Sequence, residues 1–493
     1  MRFKYTKGQL INVYNKVVEN AVKSFDLGKY TKCLSQIETA AYMQYNLNVI
    51  YSDARLDVLL NRFSEYLGNN YKCSITSIPN RIILFDSFAL DSKGLTQQYL
   101  DALVVAGYQI LFVHETLFPE ASVDIKEYLC HNNINIVELG HSDWKSKSKK
   151  LISIINDFNP SKVFFHLMPW STLPLIVFSA YPNITKYQIN LTDHAFWLGS
   201  ELIDYSFEFR DYGSTISLEK RNLNKDQLLV LPYYPWQVDK PFEGFPVQTN
   251  NKIILFGGGA LYKIYDESCT FFHMVRRILV ENEDVIFFLA GSGNVNRLLN
   301  LISEYNLKDR FFLLGNRKDI SQVFKHVDIY IDTYPIAGAL MTQFAALSSI
   351  PILSLKTTET VEEVVCTKKY HHFVLDTVDA VVAEATKLIK DENYRMQQGK
   401  LFKSLIAGRD EFRQDFIKIL ESNHSTKDSQ IIFIDYDNFP VTYIDNLNRG
   451  DLGCTIEFKI FRHSFTSLNV LMICNLVLNF PKKILNKIYR LFV

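Results

Sequence analysis

Short apolar runs that alternate with amphipathic stretches constrain this chain more than any other feature. The runs lie at 81–85, 109–113, 134–139 and 162–166 in the first half, and at 252–256, 285–290, 310–314, 328–332 and 351–355 in the second. Runs of this length suit buried parallel strands, and the stretches between them are long enough for helices. The alternation predicts an α/β protein with two parallel, doubly wound sheets.

The segments outside the two sheets divide the chain further. Residues 1–75 carry apolar residues at helical spacing and resemble one helical hairpin of the tetratricopeptide type, with Gly28 and Tyr30 at its turn. A single such unit indicates a docking cap rather than a repeat array. The prolines of 231–248 predict an interdomain linker. The expected domains are therefore the cap at 1–75, α/β domains at 80–240 and 250–395, a closing helix at 396–425 and a tail at 430–493.

The C-terminal tail differs in character from the two sheets. A long helix is expected from Glu392 to about Leu420, and 431–444 predict a small strand pair. Residues 467–480 are strongly apolar but shorter than the roughly 20 residues of a membrane span. In 481–493, basic residues line one helical face and apolar residues another. We therefore expect peripheral membrane contact through 467–493, the alternative being a tail packed on the protein body.

Overall composition excludes several classes of function. The 53 basic and 53 acidic residues balance, which argues against a nucleic-acid partner bound through a basic surface. Seven dispersed cysteines form no CxxC pair, so neither a zinc site nor a disulfide framework is indicated. The N-terminal residues lack the apolar core of a signal peptide. A cytoplasmic location is expected.

Small and basic residues follow four successive strands of the second half. Because carboxyl ends of parallel strands meet at one edge, these residues are expected to share a rim that holds a phosphate-containing ligand. Lys263 would place an ammonium against a diphosphate, and the helix after Gly338 would present backbone N–H groups. The candidate donor contacts are Gly257, Gly258, Gly259, Lys263, Gly291, Ser292, Gly293, Asn316, Arg317, Asp332, Thr333, Gly338, Ala339, Leu340, Met341 and Thr342.

A polar and aromatic loop, 192–199, follows a strand of the first half. His194 is the candidate catalytic base for an acceptor hydroxyl, while Asp193 is either the base itself or the group that orients the imidazole. Phe196 and Trp197 offer flat faces for an acceptor sugar, and His166 at another strand end is a weaker candidate contact. The alternative is a core histidine beside an aromatic cluster.

The second half resembles the nucleotide-sugar-binding half of two-domain GT-B glycosyltransferases. In particular it is similar to the family of O-GlcNAc transferase and its bacterial relatives that glucosylate adhesins. The likeness is carried by 261–264, by 328–338 and by Ile350-Pro351, and the Thr192-Asp193-His194 loop also resembles that of the bacterial relatives. It implies two facing Rossmann-like domains of GT-B type, with an N-terminal helical hairpin cap and a C-terminal amphipathic tail.

The same resemblance implies roles for individual residues. Lys263 would contact the donor diphosphate, and Gly338 to Met341 would contact phosphate and ribose at the helix start. Two departures stand out: the family has threonines where this chain has Leu340 and Met341, and an acidic residue near the position of Phe344. UDP is the first expectation, and the second departure leaves the choice of nucleotide open.

The expected function is a metal-independent, inverting glycosyltransferase that needs no cofactor beyond its nucleotide-sugar donor. Asp435-Tyr436-Asp437 has the spacing of a metal motif but lies after both sheets, so no metal is expected. The acceptor would be a saccharide or lipid-linked saccharide at the inner membrane face, with a protein as second choice. A nucleotide-sugar 2-epimerase of the same architecture and an inactive, transferase-like scaffold remain alternatives.

Overall fold

The computed structural model describes residues 2–91, 94–115, 122–357, 374–437, 439–450 and 453–480. The chain divides into two compact units. Unit 1 comprises Met1–Leu231, Phe412–Ile432 and Leu447–Val493, and unit 2 comprises Pro232–Glu411 and Phe433–Asn446. Each unit contains one parallel sheet.

Three helices precede the first sheet: α1 (Lys7–Asp26), α2 (Tyr30–Leu47) and α3 (Ala54–Asn70). α1 begins at a capping box, in which Thr6 and Gln9 each accept a bond from the other's backbone N–H. Gly28, in the turn to α2, has a φ of +68°, which glycine adopts without steric cost. The expected helical hairpin is present, and one face of each helix is buried.

The described residues of unit 1 form a seven-stranded sheet in the order β3-β2-β1-β4-β5-β6-β7. Its strands are β1 (Ile78–Asp86), β2 (Gln109–His114), β3 (Asn135–Glu138), β4 (Pro160–His166), β5 (Thr185–Ile189), β6 (Tyr205–Glu208) and β7 (Leu228–Val230). The connecting helices are α4 (Thr96–Val105), α5 (Val123–His131), α6 (Trp144–Phe158), α7 (Leu173–Ser179) and α8 (Asp211–Lys220). The side chains of 82–85 are fully buried, as expected for a central parallel strand.

The described residues of unit 2 form a six-stranded parallel sheet in the order β10-β9-β8-β11-β12-β13. Its strands are β8 (Ile253–Gly258), β9 (Val285–Ala290), β10 (Phe311–Gly315), β11 (Ile329–Ile331), β12 (Ile352–Leu355) and β13 (Val374–Leu375). The helices are α9 (Thr270–Glu281), α10 (Asn296–Glu304), α11 (Ile320–Val323), α12 (Ala339–Leu347), α13 (Val378–Lys390) and α14 (Glu392–Leu405). Both sheets confirm the α/β class expected from the apolar runs.

Two local predictions after the sheets are wrong. The single helix expected from Glu392 to about Leu420 is instead α14 followed by α15 (Arg409–Ser422), because Ile406 takes an extended conformation and Ala407 is buried in the break. The strand pair expected at 431–444 is also wrong, since 431–437 form no strand and α16 covers Phe439–Arg449. Pro440 lies in the first turn of α16, where the missing N–H costs no helical hydrogen bond.

The C-terminal helices α17 (Thr455–His463) and α18 (Val470–Asn479) belong to unit 1 and contact its N-terminal residues. Arg2 donates to the fully buried carboxylate of Glu457 at 2.5 Å, and Asn475 exchanges two hydrogen bonds with the backbone of Phe3. No helix within the described ranges is long and apolar enough to cross a membrane. The basic amphipathic helix expected at 481–493 lies outside the described residues.

Replacing Arg2 with methionine is expected to lower the free energy of unfolding by about 3 kcal/mol, because Glu457 would stay buried without its cation. The double variant Arg2→Met/Glu457→Gln removes the buried charge as well and is expected to regain most of the loss. Urea denaturation followed by circular dichroism measures both. Equal instability of the single and double variants would contradict the proposed ion-pair dependence.

Candidate functional site

The candidate site in unit 2 lies where the chain order of the sheet reverses. β8 and β11 are neighbours in the sheet, although β9 and β10 lie between them along the chain. From β8 the chain adds β9 and β10 on one side, and from β11 it adds β12 and β13 on the other. Ligands of doubly wound sheets bind beyond the carboxyl ends of the strands at such a switch point. The loops after β8 and β11 therefore define the candidate site.

Lys263 lies in a 3-10 turn, Leu261–Ile264, that follows β8. Its ammonium Nζ donates to the carbonyl of Ala337 at 2.8 Å, and its own carbonyl accepts from the N–H of Ile336 at 3.2 Å. Both contacts join Lys263 to the loop that precedes α12. The sequence predicted that these two segments share a rim, and the structure brings them together.

Asp332 holds the loop between β11 and α12. Its Oδ1 accepts from the backbone N–H groups of Thr333 and Gly338, each at 2.8 Å, and the side chain is fully buried. Burial raises the pKa of Asp332 to about 6, although those two amides and the ammonium of Lys263 oppose the rise. A Cβ on Gly338 would lie 2.9 Å from Oδ1 of Asp332, so this close approach requires glycine. Asp332 thus fixes the conformation of the loop between β11 and α12 through a buried side chain.

The N-terminus of α12 follows directly. Gly338 occupies the N-cap position, and within the described part of the chain no side chain caps the helix. Thr342 instead donates from its hydroxyl to the carbonyl of Ala339 at 2.6 Å. The side chains of 339–341 are half-buried. The first N–H groups of a helix and its dipole attract an anion, and together with the Lys263 ammonium they can stabilise negative charge on a diphosphate.

The glycines after β8 and β9 are required by contacts between loops. The N–H of Gly259 donates to Ala290, that of Leu261 to Ser292 and that of Gly291 to Gly315, at 2.7 to 3.0 Å. A Cβ on Gly291 would lie 1.8 Å from the carbonyl oxygen of Gly259. Three neighbouring strand ends are therefore tied together through their main chains.

The remaining predicted donor contacts lie elsewhere on this edge. Gly257 packs in the core, and a Cβ on Gly258 would lie 2.5 Å from Cε of Met341. Gly293 closely approaches Leu261, while Ser292 and Asn316 are exposed. Arg317 is held inside the unit by two bonds to Asp319 and one to the carbonyl of Gly244. These contacts give Arg317 a role in holding its own loop.

In unit 1, the loop after β5 carries the predicted Asp193–His194 pair. The Arg210 guanidinium donates to the two carboxylate oxygens of Asp193 at 2.6 and 3.0 Å. Burial alone would raise the pKa of Asp193, but Arg210 and His194 lower it to about 2. His194 keeps 29% of its side chain exposed, and its Nδ1 lies 3.5 Å from Asp193. An imidazole oriented in this way can accept a proton at Nε2.

Arg221 is a residue of this site that sequence reasoning missed. Its side chain is fully buried and donates to the carbonyls of Asp193 at 2.8 Å and Ala195 at 2.6 Å, the residues on either side of His194. Glu208, also fully buried, provides its countercharge. Neither Arg210 nor Arg221 lies near His194 in the sequence, and no local pattern identifies them.

The aromatic and histidine residues predicted as acceptor contacts lie inside unit 1. Phe196 is fully buried and Trp197 is 2% exposed, with the Arg221 guanidinium 5.2 Å from the Trp197 ring. His166 is fully buried, with Nδ1 3.0 Å from Asp86 and Nε2 facing the N–H of Leu95. Their burial favours a packing role for all three. Phe344, near which the resemblance implies an acid, is also core and stacks on Phe324.

Comparisons with known proteins agree with this geometry. A family model described as "Glycosyl transferases group 1" matches residues 239–403. Comparison with curated protein sequences gives no match. HepE of Anabaena, solved in complex with UDP and glucose, is 13% identical with a TM-score of 0.52, over 69% of this chain and 99% of HepE.

Two further solved structures are similar. A putative UDP-N-acetylglucosamine 2-epimerase from Listeria monocytogenes is 10% identical with a TM-score of 0.50, over 70% of this chain and 97% of the other. The O-GlcNAc transferase of Thermobaculum terrenum is 13% identical with a TM-score of 0.48, over 89% and 82%. At 13% and 10% identity, the likeness to HepE and to the Listeria protein shows the fold alone, and that fold is of the GT-B type.

Asp332→Asn is expected to change how stability depends on pH. Because folding raises the pKa of Asp332 from 3.8 to about 6, its protonation stabilises the fold below pH 3.8, and that contribution is lost as pH rises through about 6. Asparagine keeps the Oδ1 acceptor without the charge. The parent loses this contribution between pH 4 and 7 and the variant does not. The difference in unfolding free energy, variant minus parent, should therefore rise by about 2 kcal/mol over this range. Denaturation at several pH values measures it, and a constant difference contradicts the assignment.

Proposed function

We propose, from the glycosyltransferase group 1 domain that residues 239–403 form, that this protein transfers a sugar from a nucleoside diphosphate sugar to an acceptor hydroxyl. The observation that carries the proposal is the Lys263 ammonium beside the loop before α12, at the switch point of the matched domain. An ammonium and free helix N–H groups suit a leaving group that gains negative charge. The donor we propose is a UDP-sugar.

The donor half would act by electrostatic stabilisation. As the bond between the anomeric carbon and the diphosphate oxygen breaks, Lys263 and the amides of 339–340 stabilise the charge that develops on UDP. These groups supply the positive potential that a divalent cation supplies elsewhere, so we propose a metal-independent reaction. HepE, which has the same fold, was solved with UDP.

The acceptor half would supply the base. His194 takes the proton of the acceptor hydroxyl at Nε2, while the acceptor oxygen attacks the anomeric carbon from the side opposite the diphosphate. One carbon–oxygen bond forms as the other breaks, and the anomeric configuration inverts. The exposure of His194, with Asp193 ionised behind it, supports this role.

We propose a saccharide or lipid-linked saccharide as acceptor, with a protein as second choice, at the cytoplasmic face of a membrane. On the described part of α18, the exposed Val470 and Leu478 support peripheral membrane contact. The free thiols of the described cysteines suit a reducing compartment.

A nucleotide-sugar 2-epimerase and an inactive scaffold are tested in the same assay. The Listeria epimerase shares the fold, so fold alone does not separate the classes. Incubation with a panel of UDP-, GDP- and dTDP-sugars, with and without acceptors, is followed by chromatography. Acceptor-dependent release of nucleotide indicates transfer, acceptor-independent conversion of the sugar indicates epimerisation, and no change of either contradicts an enzyme.

Lys263→Met is expected to raise the Kd for UDP about 10- to 100-fold, the usual worth of a charge-assisted hydrogen bond. Lys252→Met is the matched control and should leave the Kd unchanged, because Lys252 directly precedes β8, at the opposite edge of the sheet, and forms an exposed ion pair with Asp284. Isothermal titration with UDP measures both. Equal affinities of the two variants would contradict the diphosphate site.

His194→Ala is expected to lower kcat by about 10²- to 10⁴-fold while leaving the Kd for UDP within twofold of the parent. His131→Ala, an exposed histidine of the same unit, is the control. Turnover is measured with the donor and acceptor found in the panel. Normal turnover of His194→Ala would make Asp193 or another group the base.

A further inference from the structure

Unit 1 contains a pocket that the donor and base assignments do not use. Its volume is about 370 Å³, within the range of roughly 300–1,000 Å³ typical of small-molecule sites. Its walls come from α2, from the N-terminal parts of α6 and α7, and from the chain beyond β1, β2 and β4. The lining residues that matter here are Glu38, His114, Trp144, Lys147, Trp170 and Ser171.

The pocket occupies the switch point of the first sheet. β1 and β4 are adjacent, and the chain order reverses between them. Ser87 follows β1 directly, Met168 and Ser171 follow β4, and all three line the pocket. This is the position at which doubly wound sheets bind ligands.

The charges at the pocket wall disfavour an anion. Lys147, the cation among the described lining residues, is paired with Glu115 at 3.1 Å. Glu38 accepts a hydrogen bond from Thr172 at 3.1 Å, and burial raises the pKa of its carboxyl to about 7. A phosphate or a nucleotide would meet two carboxyl groups and one neutralised lysine. A ligand without net negative charge fits this environment.

His114 leaves a polar atom unsatisfied at the wall. Its Nδ1 lies 2.6 Å from the carbonyl of Asp86, which only accepts, so Nδ1 carries the proton and Nε2 of the neutral ring is an acceptor. Nε2 is buried, and among the described residues it has no hydrogen-bond partner. Such an atom costs free energy unless a donor reaches it. Nε2 is closed to solvent in this structure, so a small shift of the wall is required before a ligand hydroxyl can donate to it.

Two half-buried indoles provide the apolar part of the wall. Trp170 is held edge-on by Tyr42 at 4.9 Å and Tyr45 at 5.4 Å between centroids, and Trp144 by Phe63 at 5.5 Å. Aromatic neighbours in this geometry fix the ring positions. Flat rings beside hydroxyl and carboxyl groups match a molecule with an apolar C–H face and a rim of hydroxyls.

We propose that this pocket binds a neutral pyranose, with its C–H face against Trp144 or Trp170 and its hydroxyls on Glu38, Ser171 and the His114 side of the pocket. The pyranose is one sugar unit of the acceptor saccharide, and because His194 does not line the pocket, a different unit carries the hydroxyl that His194 deprotonates. That role rests on the proposed function, whereas the binding itself does not.

Binding is tested on the full chain without donor. Methyl glycosides of glucose, galactose and N-acetylglucosamine, and the matching octyl glucoside, are titrated while tryptophan fluorescence and saturation-transfer NMR are recorded. Two of the four tryptophans line the pocket, so binding should change the emission. We expect saturable binding of at least one glycoside. Tighter binding of the octyl compound identifies a lipid-linked source and equal binding a free saccharide.

Variants locate the binding. Glu38→Ala and Trp170→Phe should each raise the glycoside Kd at least tenfold, while Trp236→Phe, in unit 2, leaves it unchanged. Unaltered melting temperatures exclude unfolding. The assignment is overturned when no glycoside binds, when both pocket variants bind like the parent, or when inorganic phosphate displaces the glycoside.

Failure of the pocket and failure of the proposed function give different results. A protein that binds glycosides in this pocket but binds no nucleotide contradicts the transferase and retains the pocket. A protein that binds UDP with Lys263-dependent affinity but binds no glycoside retains the donor site and loses the pocket.

Discussion

The buried carboxylate of Asp332 is the interaction on which the donor edge depends, the carboxyl edge of the unit 2 sheet where we propose that the nucleotide sugar binds. One oxygen of Asp332 accepts from the amides at both ends of the loop before α12, so the loop closes around it. The closed loop presents the Ala337 carbonyl to Lys263 and leaves the start of α12 open. A negative charge thus organises a loop beside the proposed site for another negative charge, and burial raises the pKa of Asp332.

Unit 1 arranges charge differently. There the carboxylate of Asp193 is neutralised by Arg210, and Arg221 fixes the peptide groups on both sides of His194. Both arginines are buried and each faces an acid, so their charges are balanced. The partly exposed imidazole of His194 is therefore attached to a loop that is held in place. A rigid support of this kind suits a residue that must meet a substrate in one orientation.

The strands that follow from local periodicity were predictable from the sequence. Nine apolar runs became strands because burial on both faces of a parallel sheet demands such runs. The short strands β6 and β7 were missed. β6 carries Ser206 and Glu208, which interrupt its apolar pattern and are satisfied by a bond to each other and by Asn190. β7 is only three residues long. Arg221 was missed because the carbonyls it binds lie far from it in the sequence. The position of Phe196 and Trp197 after a strand was visible in the sequence, but their burial was not. Trp197, for example, packs against Arg221, which follows α8.

The donor edge is built largely from peptide groups, through the bonds that tie the ends of β8, β9 and β10 and through the open start of α12. A peptide N–H is present whatever side chain its residue carries. A substitution at Leu340 or Met341 therefore changes the side-chain surface at the start of α12 and leaves the amides in place. Side chains on such an edge can change one at a time without loss of its main-chain donors, whereas Gly291 has no room for even a methyl group.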